Sequence, residues 1–400
     1  MAILNISWSL ATLLFSCIAL VVTSHTFPPK FFNVVRYGAI GDGTTDNSQA
    51  FVKAWKDACA YKGRSRVWIP NGRFLLSSVS FEGSCNGSMA FLLKGSLVAP
   101  TDPSSFTDTW IAFRYVSALA VKGGGSLDGQ GHSAWHLNDC QSNPHCKPLP
   151  VTLRFDFVRN SRVQNIESVN SKSSHFNVFA CENLTISHVK LSAPADSPNT
   201  DGIHIGSSRS VTITNSLIGT GDDCVSMVSG SQDIKVNDVV CGPGHGISIG
   251  SLGRGHEREY VEDITVANCT FIASENGVRI KTWSPSSYSK ASNLVFENII
   301  MKNSKNPVVI DQYYCPSPHC YMQGKSSSDV QIEDVTFKNI RGVSSTEVAL
   351  NLQCSEAMPC KNVKLIDIDL AYEGPGRRAT ALCSHVIGSS YGKLVPGGCV

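Results

Sequence analysis

Short runs of alternating apolar and polar residues recur along the middle and C-terminal parts of the chain. Each opens on Asn, Asp or Ser and continues apolar-x-apolar. They are Asn183-Leu-Thr-Ile-Ser, Ser210-Val-Thr-Ile-Thr, Asp233-Ile-Lys-Val-Asn, Asp263-Ile-Thr-Val-Ala, Asn293-Leu-Val-Phe-Glu, Asp329-Val-Gln-Ile-Glu and Asn362-Val-Lys-Leu-Ile. Alternation with period two reads as a strand opened by a turn residue. A second short strand follows many of them, as in Val236–Val240 and Thr270–Ile272. The starts lie 23 to 36 residues apart, the period of a solenoid or a propeller. The leucine ladder of leucine-rich repeats is absent, propeller blades need four strands and about forty residues each, and the β-branched, Gly-rich content excludes helical repeats. The pattern predicts an all-β fold, a parallel β-helix with several short strands per coil. Apolar side chains then point inward and successive coils stack at about 4.8 Å.

An open solenoid end exposes unpaired backbone, so a cap is expected. The segment Ser48–Tyr61 fits: Ala50, Phe51, Ala54, Trp55 and Ala58 recur at helical spacing, and Thr45, Asp46 and Ser48 stand where they can cap its start. Residues 1–24 hold no Lys, Arg, Asp or Glu, Leu10–Val22 is almost wholly apolar, and Val22-Thr23-Ser24 reads as a small-residue cleavage site. This predicts a secretory signal peptide rather than an anchor, because the apolar run is too short for a comfortable span. No Pro/Ser-rich linker divides the remainder, so residues 25–400 are read as one domain. The mature protein is expected to be extracellular, with no membrane attachment, and to act as a monomer.

Of the 15 cysteines only Cys17 lies in the signal, which leaves an even number on an oxidising route. Cys140/Cys146, Cys224/Cys241, Cys315/Cys320, Cys354/Cys360 and Cys383/Cys399 sit close together and read as short-loop disulfides. His136, Cys140, His145 and Cys146 match no zinc spacing, and neither a metal nor another cofactor is expected. Sequons begin at Asn86, Asn183 and Asn268; each glycan would demand a surface position. A hydrophobic content of 42% rules out disorder, and a charged content of 16% argues against a coiled coil. A net charge of +2 disfavours nucleic-acid or membrane-surface binding, so any anionic partner must meet a local cluster of cations.

Four polar clusters carry the chemistry: Asn199-Thr200-Asp201-Gly202-Ile203-His204, Gly221-Asp222-Asp223-Cys224, Gly244-His245-Gly246-Ile247-Ser248 and Gly277-Val278-Arg279-Ile280-Lys281. Asp201 to Asp222 is 21 residues and Asp222 to His245 is 23, each close to one coil. Residues one coil apart are neighbours on the same face, so Asp201, Asp222, Asp223 and His245 should converge. Val278 and Ile280 pointing inward would turn Arg279 and Lys281 outward beside them. Adjacent Asp222 and Asp223 serve one site only if the chain turns there, which Gly219 and Gly221 allow. His204 alternates outward beside Asp201. Crowded carboxylates repel, so one should hold its proton beside an ionised base. That is the equipment of a glycoside hydrolase, and the cations suit a sugar bearing its own carboxylate. Taken singly each cluster has a plainer reading: a turn, a calcium loop, a structural histidine, a solvated edge. Together, in order and at coil spacing, they mark a site.

At these residues the chain resembles the polygalacturonase family of glycoside hydrolases, especially its plant members. The motifs are Asn199-Thr200-Asp201, Gly221-Asp222-Asp223-Cys224, Gly244-His245-Gly246 and Arg279-Ile280-Lys281, with Phe32-Asn33-Val34, Tyr37-Gly38-Ala39 and Gly41-Asp42-Gly43 resembling the entry of the family's right-handed β-helix. The resemblance implies hydrolysis of α-1,4-linked galacturonan, the polysaccharide of pectin, with inversion. It implies Asp222 as proton donor, Asp201 and Asp223 as the pair activating water, and His245 as support for the donor. Arg279, Lys281 and Tyr314 would contact substrate, and Cys224–Cys241 would brace the catalytic coils. The loop Ser251–Tyr260 is similar to that of pollen-type exo-acting members. An endo-acting polygalacturonase, a pectate or pectin lyase, a rhamnogalacturonan hydrolase and a non-catalytic wall-binding β-helix remain alternatives. A lyase does not need a proton-donor Asp in such a set, and an intact Arg279-Ile280-Lys281 disfavours the rhamnogalacturonan hydrolase.

Overall fold

The computed structural model describes residues 27–140, 143, 146–255, 257–316, 327–374 and 378–400. The expected signal, His145 and Cys320 lie outside them. The strands form two ladders, one of 20 strands and one of 11, and the pairings are parallel. This is the parallel β-helix expected from the alternation.

The 11-stranded ladder positions the site. It runs from Val79–Glu82 through Thr109–Arg114, Val151–Asp156, Phe176–Phe179, Ile203–Gly206, Val225–Met227, Ile247–Leu252, Asn276–Trp283, Asn306–Tyr314 and Val348–Gln353 to Thr380–Ser384. Its inward positions form two columns along the axis. One is Phe176, Ile203, Val225, Ile247, Val278, Val308 and Leu350; the other is Val178, Ile205, Met227, Ile249, Ile280, Ile310 and Leu352. Every one of them is fully buried. Each large apolar residue rests on its counterpart one rung away, so register is locked: a one-residue slip would turn a whole column outward.

The N-terminal end is closed by the helix Ser48–Ala60. Ala50, Phe51, Ala54, Trp55 and Ala58 are buried as expected. Trp55 packs 5.2 Å from Phe81 and 5.4 Å from Phe113, and its Nε1 donates to Glu82 O at 2.9 Å. Of the anticipated capping residues Asp46 performs the task, accepting from Ser48 N–H at 3.0 Å. The Thr45 hydroxyl turns to Asp42 instead, at 2.7 Å.

The polar residues that open the runs are turn residues in the left-handed region: Asn183, Ser210, Asp233, Asp263, Asn293 and Asn362 have φ between 50 and 59°. Asn and Asp tolerate that region better than other side-chain-bearing residues. They also join coil to coil, as Asn293 donates to Asp263 and Asn362 to Asp334. Asp329 is the exception and corrects the sequence reading. The residue in register is Asp334, with φ 55°, followed by Val335 and Phe337 paired with Leu294 and Phe296. Two apolar-x-apolar runs lie back to back there, and the first belongs to the entry of strand Val330–Ser344.

Four of the anticipated short-loop disulfides are present: Cys140–Cys146, Cys224–Cys241, Cys354–Cys360 and Cys383–Cys399. Cys59–Cys85 adds a bridge between the cap helix and the second coil, across 26 residues. The even cysteine count does not mean full pairing: Cys181 and Cys269 are free and buried. Asn86, Asn183 and Asn268 are all exposed. No helix among the described residues is long and apolar enough to cross a membrane.

Candidate active site

The catalytic candidates lie on the outer face of the 11-stranded ladder and at the corner that feeds it. Asn177, His204, Ser226, Ser248 and Arg279 are partners in register on five successive strands. Inward neighbours on either side force these side chains outward. At the preceding corner Gly202 N–H donates to Asp223 O at 2.9 Å and His245 N–H to Asp222 O at 2.8 Å. The corner residues thus stack coil on coil like the strands.

Asp222 and Asp223 share one site because they fall in the corner between strands Arg209–Gly219 and Val225–Met227. Glycine at 221 is required by close approach rather than by φ: a Cβ there would lie 2.0 Å from Ser197 O. The buried Thr200 hydroxyl accepts from Gly221 N–H at 2.9 Å and lies 2.7 Å from Ser197 Oγ, fixing the corner. Cys224–Cys241 ties the next residue to the adjacent coil.

The carboxylates have different surroundings. Asp223 is almost completely covered, and both its oxygens are taken. Oδ1 accepts from Ser248 Oγ at 2.7 Å and Arg279 Nη2 at 2.9 Å; Oδ2 accepts from Lys281 Nζ at 2.8 Å. Burial alone would raise its pKa, but Lys281 and Arg279 outweigh it and bring the carboxyl down to about 2. Asp201 accepts from Ser226 Oγ at 2.9 Å, and Ser226 Oγ lies 2.8 Å from His204 Nδ1. Burial, then the neighbouring charge of Asp222, push the Asp201 carboxyl above the ordinary range. Asp222 accepts from Asn199 Nδ2 at 3.3 Å and from its neighbour's amide, Asp223 N–H, at 2.8 Å; its Oδ1 lies 3.0 Å from His245 Nδ1. That bond to Asp222 raises the His245 pKa against the opposing effect of burial. Glu275, 3.9 Å from His245 Nε2, adds to the same effect.

The structure brings together every site residue expected from sequence. Asp201, Asp222, Asp223, His204, Lys281 and Tyr314 line one cleft of about 370 Å³, with His245 and Arg279 bonded to its walls. Lys281 Nζ lies 5.3 Å from the Tyr314 ring centre, within cation–π range. Tyr313 turns away, donating to Cys354 O at 3.3 Å, which settles which of the two adjacent tyrosines faces the cleft. The cations do point outward from the barrel, yet they are sheathed by Asp223 rather than freely exposed: the side chains of Arg279 and Lys281 are 12% and 9% accessible.

Sequence reasoning missed Ser226 and Asn177, and it gave no role to Asn199 and Ser248 although both stand in the polar clusters it singled out. A signal exists for the two serines. Aligning the inward Ile203, Val225, Ile247 and Val278 places His204, Ser226, Ser248 and Arg279 in one column. Asp222, Asp223 and His245 offer atoms within 4.8 Å of one another, a span that suits a metal ion. Ser248, Arg279 and Lys281 already take both Asp223 oxygens, so a metal ion would have to displace them to use that carboxylate.

Residues 59–390 match the family model described as glycosyl hydrolases family 28. An exopolygalacturonase from Platanus acerifolia is 48% identical over 367 residues, 91% of this chain and 96% of that protein. A polygalacturonase from Gossypium barbadense is 44% identical over 388 residues, 96% of this chain and 95% of that one. Among solved structures, the endo-xylogalacturonan hydrolase of Aspergillus tubingensis superposes with a TM-score of 0.79 at 24% identity, over 92% of this chain and 100% of that one. That last likeness concerns the fold.

Proposed function

This chain belongs to the glycosyl hydrolases of family 28, and from that membership and the cleft's geometry we propose that it hydrolyses α-1,4-galacturonosidic bonds of pectic galacturonan with inversion, releasing single units from the non-reducing end. The observation that carries the reading is the division of labour among three carboxyls in one cleft. Asp222 and Asp201, 18% and 15% accessible, open onto the cleft, whereas Asp223 at 2% is held ionised by Lys281 and Arg279.

Asp222 is the proton donor. Its partner His245, whose pKa this contact raises, is placed to return the proton after each turnover. While the Asp222 carboxyl is neutral its repulsion on Asp201, one of the two main causes that raise the Asp201 pKa, is removed, which favours the ionised base there. A carboxylate with a raised pKa is the stronger base, and Asp201, oriented by Ser226, takes the proton of the attacking water. Asp223 fixes the other side of that water. Arg279 and Lys281 divide their charge between Asp223 and the substrate's carboxylate, and Tyr314 and His204 border the sugar. A two-carboxylate displacement through water inverts the anomeric centre.

The exo preference is supported by the exopolygalacturonase among its relatives. The apolar leader supports secretion to the cell wall as a single mature domain, 25–400, acting as a monomer and needing no cofactor. A time course on long, de-esterified polygalacturonate tests the hydrolysis, its stereochemistry and the exo mode. Galacturonate monomer as the sole early product, first in the β-anomeric form by NMR, is expected. An early ladder of oligomers overturns the exo mode, and an unsaturated, ultraviolet-absorbing product overturns hydrolysis.

A further inference from the structure

On the 20-stranded ladder, away from the cleft, four successive rungs build a cationic trough of about 420 Å³. Its walls are the outward positions of strands Ser65–Ile69, Met89–Leu93, Leu119–Lys122 and Arg159–Gln164 and of the residues leading into them. Period two places Arg64 and Arg66 on one rung, Ser88 and Ala90 on the next, Ala120 and Lys122 on the third, and Asn160 and Arg162 on the fourth. In register, Arg66 stands on Ala90, Ala90 on Ala120 and Ala120 on Arg162. Two alanines between two arginines hollow out the surface, and three rungs put the arginines about 14 Å apart.

The lining holds four cations, Arg64, Arg66, Lys122 and Arg162, and no carboxylate. Among the described residues none of the four has an ion-pair partner within 4.0 Å. Arg66 is braced from the side instead, its guanidinium carbon 5.0 Å from the Phe31 ring centre, and Phe31 itself is half exposed. Neighbouring charge is internally balanced, since Arg159 pairs with Glu182 at 3.7 Å. In a chain whose net charge is only +2, four unpaired cations around one hollow are a concentrated positive field.

We infer that this trough is a second polysaccharide site, binding a uronan chain laid along the solenoid axis and anchoring the enzyme to acidic wall polymer. A linear uronan presents carboxylates at regular intervals and hydroxyls between them. The trough answers with Arg64 and Arg66 on its first rung, Arg162 and Asn160 on its last, and Lys122, Ser88 and two alanines on the rungs between. It has no deep apolar pocket that would take a peptide's hydrophobic anchors. Two sequons border it: Asn86 lies two residues before Ser88, and Asn183 donates to Asn160 Oδ1 at 2.9 Å. The protein must therefore be tested with its glycans in place. The inference rests on the proposed substrate only for the identity of the polyanion.

The test compares secreted wild type with the triple variant Arg66→Ser, Lys122→Ser, Arg162→Ser. Retention on a polygalacturonate gel is measured with both proteins carrying Asp222→Asn, so that nothing is digested. Hydrolysis of a short galacturonate oligomer is measured without that change. Retention is expected to fall at least fivefold in the triple variant and to lose most of its salt dependence, while oligomer hydrolysis is unchanged. Equal retention of the two proteins, including the case in which glycans fill the trough, overturns the inference. Displacement from the gel by poly-glutamate as readily as by soluble polygalacturonate overturns the uronan assignment. Absence of oligomer hydrolysis in the wild type would count against the catalytic reading alone, because the gel measurement stands without it.

Discussion

Lys281 Nζ lies 2.8 Å from Asp223 Oδ2 although 58 residues separate them in sequence. Two coils of the solenoid close that gap, and the pair is almost fully sheathed. Removing one partner of a buried pair strands the other charge. Lys281→Met should therefore cost about 3 kcal/mol at neutral pH, near the low end for such a break because Arg279 remains. It should also lower kcat/KM on galacturonan by about 100-fold, through kcat as well as KM. Urea unfolding and initial rates check both; a variant as stable as wild type, altered in KM alone, would mean the cation serves only the substrate.

The same pair fixes a pH dependence. Asp223 has a folded pKa of about 2, below its unfolded value of about 3.9. Its contribution to stability is complete above pH ~4 and is lost as pH falls toward 2. In Lys281→Met the folded pKa moves up toward the unfolded one, so that acid-side loss should shrink and end at higher pH. Thermal unfolding midpoints from pH 2 to 6 for the two proteins should converge at the acid end; parallel curves over the whole range would remove Asp223 as the titrating group.

Asp222→Asn retains the shape of the side chain and removes the transferable proton. Reducing-sugar release should drop by about a thousandfold or more, with the circular dichroism spectrum unchanged. His245→Gln should lower kcat about 100-fold. His245 has a raised pKa because of Asp222, so its support is present below that value and is lost as pH rises through it. The alkaline limb of the wild-type kcat profile should be missing in His245→Gln; an unaltered limb would assign it to another group.

Much of this was legible in the sequence because a solenoid turns sequence interval into spatial adjacency. The 21- and 23-residue steps from Asp201 to His245 were enough to predict a shared cleft. What was not legible has two causes. Ser226 and Ser248 are common residues whose importance appears only when their strand is aligned against His204 and Arg279. Asp329 mimicked the repeat signature five residues ahead of Asp334, because local alternation carries no information about register. Pairing was equally opaque: parity said nothing of Cys181 and Cys269, which burial keeps apart.

Ser226 joins His204 to Asp201 through one hydroxyl, at 2.8 and 2.9 Å. Ser226→Ala leaves a buried carboxyl without its donor, which should push Asp201 further up and slow kcat about tenfold, with the acid limb of the profile moved to higher pH. Ser226→Thr, which retains the hydroxyl, should recover most of the rate. A loss equal in both variants would indicate a packing defect at this position instead.

Cys181 and Cys269 lie at 2% and 0% exposure in the core. Their thiols bond to backbone carbonyls, Cys181 Sγ to Phe155 O at 3.4 Å and Cys269 Sγ to Ala267 O at 3.2 Å. Burial pushes both pKa values up to about 12, so neither is a thiolate at neutral pH and neither meets reagent in the folded protein. Iodoacetamide without reductant should leave both unmodified in buffer and alkylate both in concentrated guanidinium, while Cys59, Cys85, Cys224 and Cys241 stay protected in either condition. Peptide mass mapping separates these outcomes. Labelling of Cys181 in native buffer would show that its coil opens, and a peptide linking Cys181 to any other cysteine would contradict the packing that holds the two thiols separate.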